Sequence, residues 1–129
     1  MRPDTAELDT LPQAGGFHGR EAFELGLAWL RRGNGQAAQA AWRLAIWSGD
    51  PEYGPRAACF LAVCCELAGN LAAAREAWQL AVEASSRRYQ VPALLGLAGV
   101  AARAGEAALA LACWRRATAL LVARGREPP

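Results

Sequence analysis

One recurrence constrains this chain more than any single residue. Residues 69–81 read GNLAAAREAWQLA, with a skeleton of Gly69, Asn70, Ala74, Trp78 and Ala81. Thirty-six residues earlier the skeleton is Gly33, Asn34, Ala38, Trp42 and Ala45, and thirty-six later it is Gly105, Ala110, Trp114 and Ala117. A fixed step of this length is the mark of a stacked repeat architecture, in which no unit buries its apolar stripe alone.

The spacing between these anchors predicts helices. Apolar residues Ala22, Leu25, Leu27, Trp29 and Leu30 recur at helical intervals over about 20–32. Gly33 ends that helix by supplying the positive φ that a helix terminus needs. The same reading places helices at about 36–47, 56–68, 72–85, 92–105 and 106–123, with Pro51 stopping the second and Pro55 sitting in the first turn of the third. The expected fold is all-α: an α-solenoid of three helix-turn-helix repeats and six helices over residues 19–124. A flexible arm (1–18) precedes it and a frayed tail (125–129) follows. Ala and Leu dominate and there is one Ile, which fits helix and not sheet.

The residues now resemble a family. The tetratricopeptide pattern is W-x2-L-G-x2-Y, then A-x3-F, then P. Here the first copy is Ala22-x2-Leu25-Gly26-x2-Trp29, then Ala38-x3-Trp42, then Pro51. The second is Ala58-x2-Leu61-Ala62-x2-Cys65, then Ala74-x3-Trp78, and the third Leu94-x2-Leu97-Ala98-x2-Ala101, then Ala110-x3-Trp114. The step of 36 departs from the usual 34. Sel-type repeats, whose turn within the hairpin is longer, are the alternative relatives.

The resemblance implies a concave groove lined by the first helix of each pair. It would carry Arg20, Phe23, Leu27, Leu30 and Arg31 from the first pair. Arg56, Cys59, Val63 and Glu66 would come from the second, and Leu95, Gly99 and Arg103 from the third. Phe23 and Leu27 stand where carboxylate-clamping members hold Lys and Asn. The implied ligand is therefore an apolar or amphipathic helical segment of a partner protein, bound by an adaptor. A self-associating structural module is the other reading. In helix six, Ala110, Trp114, Ala117 and Leu121 form the stripe expected to pack inside the third pair. Leu109, Cys113 and Leu120 form a second stripe, to be covered either by the arm through Leu8, Leu11 and Phe17 or by a second copy in a homodimer.

Chemistry is not signalled. The single His is His18, and Glu66, Glu76 and Glu83 fall on helix faces among arginines. Cys59, Cys64, Cys65 and Cys113 match no metal-ligand spacing, with Cys59 and Cys64 expected on different sides of a helix. No cofactor, no metal and no enzymatic activity are expected. A net charge of +2, with basic pairs Arg31–Arg32, Arg87–Arg88 and Arg115–Arg116 kept apart, makes a poor nucleic-acid footprint. Residues 1–19 lack an apolar signal core, and no charge-free run of about 20 residues offers a membrane span. A cytoplasmic protein with reduced thiols is expected.

Overall fold

A computed structural model describes residues 18–84 and 86–128; residues 1–17, which hold nearly all of the expected arm, lie outside it, as do 85 and 129. The described residues form six helices: α1 (His18–Arg31), α2 (Gly35–Trp47), α3 (Tyr53–Leu67), α4 (Leu71–Glu83), α5 (Gln90–Arg103) and α6 (Ala107–Gly125).

The turn inside each hairpin is the same device used three times. Gly33, Gly69 and Gly105 all take φ +79°, a conformation that a Cβ disfavours. The Asn34 N–H donates back to the Trp29 carbonyl at 3.0 Å and the Gly33 N–H to Leu30 at 2.9 Å. Asn70 repeats the first bond to Cys65 at 2.9 Å, and Glu106 repeats it to Ala101 at 2.8 Å. This bonding closes the preceding helix. The Asn34 and Asn70 side chains then accept from the N–H of Ala37 and Ala73, opening the next helix. Glu106 makes no such cap and pairs instead with Arg75. Between hairpins, Asp50 accepts from the N–H of Glu52 and Tyr53 and starts α3.

Each hairpin packs its two helices together, and α2 then packs on α3 and α4 on α5. The first helices also approach one another in sequence, α1 with α3 and α3 with α5, while the backbones of α2, α4 and α6 stay further apart. This asymmetry bends the α-solenoid so that α1, α3 and α5 share its inner side. Ala38, Ala74 and Ala110 are 0, 0 and 1 % exposed, so the small residues of the frame do lie where paired helices close on each other.

The three tryptophans part company. Trp42 is fully buried against Gly26 of its own hairpin, where an added Cβ would stand 2.2 Å from the indole nitrogen. That nitrogen donates to the Phe23 carbonyl at 3.3 Å. The second hairpin has Ala62 at the place of Gly26, and Trp78 lies instead on Gly96 of the following hairpin, where an added Cβ would collide with its ring. Its nitrogen donates to Glu66 at 2.8 Å. Trp114 was expected inside the third pair but is 44 % exposed. Ala98 occupies the place of Gly26 there, and among the described residues no helix follows α6 to receive the ring.

Trp78→Ala should cost about 3–5 kcal/mol, the range for deleting a core aromatic. Gly96→Ala is the sharper probe. Alanine should gain up to about 1 kcal/mol of helix propensity, yet its methyl collides with the Trp78 ring, at about 1–3 kcal/mol for overpacking. Urea unfolding should show both variants less stable than wild type; a stabilised Gly96→Ala chain would contradict this seating.

Candidate functional site

The inner side is built from one row of the frame. On α3 the row is Cys59, Val63 and Leu67, spaced four apart and therefore stacked along one helix face. With Leu30 from α1, Phe60 and Cys64, these residues line an open cleft of about 260 Å³ floored by Trp42. No charged side chain lines it. Val63 is 47 % exposed, Leu30 43 % and Leu67 84 %. Leu30, Cys59 and Val63 were expected in the groove; Phe60, Cys64 and Leu67 were not. Cys59 and Cys64, expected on different sides of α3, both border the cleft.

Other expected groove residues do not line this cleft. Phe23 is 2 % exposed and belongs to the core. Its ring packs on Tyr53 at 5.7 Å and edge-on to Phe60 at 5.2 Å, and Phe60 in turn meets Trp42 at 5.7 Å. Arg56 is no free rim charge, since its guanidinium sits 4.9 Å from the Phe23 ring centre. Leu27 is half-buried and packs against the core. Arg20 pairs with Glu24 at 3.1 Å. Arg31 is exposed at the end of α1.

At the next junction the corresponding row is Leu95, Gly99 and Arg103. Leu95 is 46 % exposed, and the space in front of Gly99 is open. Glu66, one repeat on from Leu30, is already engaged: it accepts from the Trp78 indole and pairs with Arg103.

The expected self-association stripe is reversed. Cys113 is 5 % exposed and lies in the core, with Leu109 and Leu120 packed against it. Of the stripe assigned to the inside, Ala110 and Ala117 are buried as expected, but Trp114 and Leu121 (51 % exposed) turn outward, with Leu111 and Val122 also exposed. The tail, expected to fray, carries Glu127 to an ion pair with Arg87, while Arg124 donates to the Arg87 carbonyl.

Burial sets the chemistry of the thiols. It pushes the Cys59 thiol up from 9.0 to about 11, and raises Cys65 and Cys113 as well. At neutral pH the cleft therefore holds a neutral thiol, which packs as a small hydrophobe. Gln39 donates to the Cys64 sulfur at 3.6 Å. Among the described residues no three His, Cys, Asp or Glu side chains gather as a metal set, and no helix is long and apolar enough to cross a membrane.

No protein-family model and no curated protein matches the chain. Its fold is similar to a solved structure of BtubC (BKLC) from P. vanneervenii. The TM-score is 0.72 at 15 % identity, over 86 % of this chain and 49 % of that one. The chain thus spans about half the length of that protein, and the likeness shows the helical-repeat fold alone.

The Cys59 shift has a consequence in alkali. The unfolded thiol ionises near 9.0 and the folded one near 11, so in that window the unfolded chain binds fewer protons and stability falls as pH rises. Cys59→Val should flatten the fall in melting temperature across this window without abolishing it, because Cys65 and Cys113 are raised too. A slope identical to wild type would show that the Cys59 thiol contributes nothing to it.

Proposed function

We propose that this chain is a tetratricopeptide-like adaptor without catalytic activity or cofactor. In this reading it works in the cytoplasm and holds the apolar face of an amphipathic helix of a partner protein. The observation that carries the reading is the cleft between α1 and α3. Leucine, valine and phenylalanine side chains stand open there over Trp42 with no charge among them. Fully burying one such side chain is worth about 1.5–3 kcal/mol, so a ligand covering three or four gains most of a micromolar affinity before ordering costs. Helix-in-groove recognition uses anchors of this kind. The arginines support a protein ligand over nucleic acid: Arg87 pairs with Glu127, Arg88 with Glu52 and Arg103 with Glu66.

The cleft is tested by Val63→Glu with Leu67→Glu. Both side chains are largely exposed, so the helical circular dichroism should be unchanged while partner capture from the source cells is lost. A folded double variant that captures the same proteins would remove this reading.

The exposed face of α6 favours a second reading, a homodimer through Trp114 and Leu121, about a two-fold axis as most dimers are. Light scattering at about tens of micromolar, far above the Kd of a stable obligate pair, should then give twice the monomer mass. Leu121→Glu should halve it. A monomeric wild type would leave the adaptor reading alone.

A further inference from the structure

The junctions between hairpins show which side chains one unit hands to the next. At the first, Trp42 of α2 packs on Phe60 of α3 at 5.7 Å, and Gln39 donates to the Cys64 sulfur at 3.6 Å. At the second, Trp78 of α4 lies on Gly96 of α5. Residues 39 and 42, three apart, share one face of α2. The corresponding residues of α6 are Leu111 and Trp114. Among the described residues no helix follows α6, and these two are 45 % and 44 % exposed.

The receiving face is uncovered at the other end. Ala57 and Leu61 on α3, and Ala93 and Leu97 on α5, are at most 6 % exposed. Their counterparts on α1 are Glu21 and Leu25, both exposed, and Glu24 stands exposed at the place of Phe60 and Gly96. The chain thus carries both halves of a junction, a donating face on α6 and a receiving face on α1. These halves differ from the interior ones in charge. Glu21 and Glu24 pair with His18 and Arg20 on their own helix and keep 61 % and 57 % of their side-chain surface exposed. Next to Trp114, α6 carries Arg115 and Arg116, both exposed. At the first junction Arg43 and Leu61 line one cleft. The counterparts of that pair are Arg115 and Leu25, and Glu21 is one turn from Leu25 on α1.

We propose that copies of this chain associate head to tail, with α6 of one copy packed on α1 of the next as α2 packs on α3. Leu111 and Trp114 of one copy then cover Ala28 and Leu25 of the next, and Arg115 pairs with Glu21. Charge selects this arrangement over a two-fold pair through the same face of α6. A two-fold pair is self-complementary and sets Arg115 and Arg116 against their own copies, whereas the head-to-tail contact sets them against Glu21 and Glu24. The contact is heterologous and open-ended, so assembly grows with concentration. The cleft between α1 and α3 takes no part, so the adaptor reading and this one stand or fall separately.

The test is sedimentation of the full chain. The weight-average mass should rise from near one chain at about 10 micromolar to several chains at about 500 micromolar. Leu25→Glu blocks the receiving face and Leu111→Glu the donating face. Each variant alone should stay a single chain with unchanged helical circular dichroism, and a one-to-one mixture should form a complex of two chains and grow no further. Glu21→Arg and Arg115→Glu should each lower assembly several-fold, and the two together in one chain should restore it. If Leu25→Glu loses its helical signal, this charge exchange decides. A wild type that stays a single chain throughout would overturn the proposal, as would a charge exchange that restores nothing. A folded Leu25→Glu chain that still pairs would overturn it in favour of the two-fold contact.

Discussion

An indole needs a missing Cβ. The stack depends on where that gap falls. In the first hairpin the gap is Gly26, and Trp42 sinks back onto its own partner helix. The next hairpin contributes Phe60, whose ring packs on Trp42 and bridges the junction. In the second hairpin the place of Gly26 is Ala62, and in the third the place of Phe60 is Gly96. The large and small residues have exchanged sides, and Trp78 moves forward onto α5. One frame position thus joins hairpins in two ways, by a phenylalanine packed on a buried tryptophan and by a tryptophan laid on a glycine. Ring burial of about 150–250 Å² is retained in both. Each indole nitrogen also finds an acceptor, the Phe23 carbonyl or the Glu66 carboxylate, so neither seat strands a buried donor.

The ends show that burial here is a property of neighbours. Leu25 and Leu61 are the same residue in the same frame position, and their exposures differ more than tenfold. Trp114 and Trp42 differ in the same way at the other end. In a quasi-one-dimensional stack each unit is stabilised by the two units beside it, so the first and last carry apolar faces that interior units hide. α6 responds by growing: it runs to Gly125, six residues past the frame position where α2 and α4 stop. Arg124 and Glu127 tie that extension to Arg87 on the loop between α4 and α5.

Much of this was legible in residue spacing. Gly33, Gly69 and Gly105 announced the turns and the alanine series a recurring packing position, whereas the capping by Asn34 and Asn70 emerged only in the structure. Helical periodicity fixes the angle between two side chains but not which of several apolar faces meets the neighbour. That is why α6 holds Cys113 inside together with Ala110 and Ala117, while Trp114 and Leu121 of their stripe turn out. Phe23 was misplaced for a related reason: it looks like a groove residue until Tyr53, Phe60 and Arg56 close over it from α3. Glu66 could be placed only after Trp78 had moved forward, since its partner lies twelve residues away on another helix. The exchange at Ala62 and Gly96 was present in the sequence and readable by aligning the copies for side-chain volume.

The same comparison of junctions explains why the apolar cleft is confined to one place. Leu30 and Leu67 flank it, and one repeat later those positions hold Glu66 and Arg103. The second pair forms an ion pair across α3 and α5. A half-exposed arginine contributes little stability by such a bridge, about 1 kcal/mol or less. Its effect is geometric: it joins the two helices at the point where the first junction stands open, and it ends the apolar surface with charge. Leu30 and Leu67 join nothing, and Leu67 is 84 % exposed. An exposed leucine gains nothing from the folded monomer that it lacks in the unfolded chain. This apolar surface, with no charged side chain lining it, is what the proposed adaptor reading rests on. The same two frame positions are thus built at one junction with an ion pair and at the other with leucines that stay exposed.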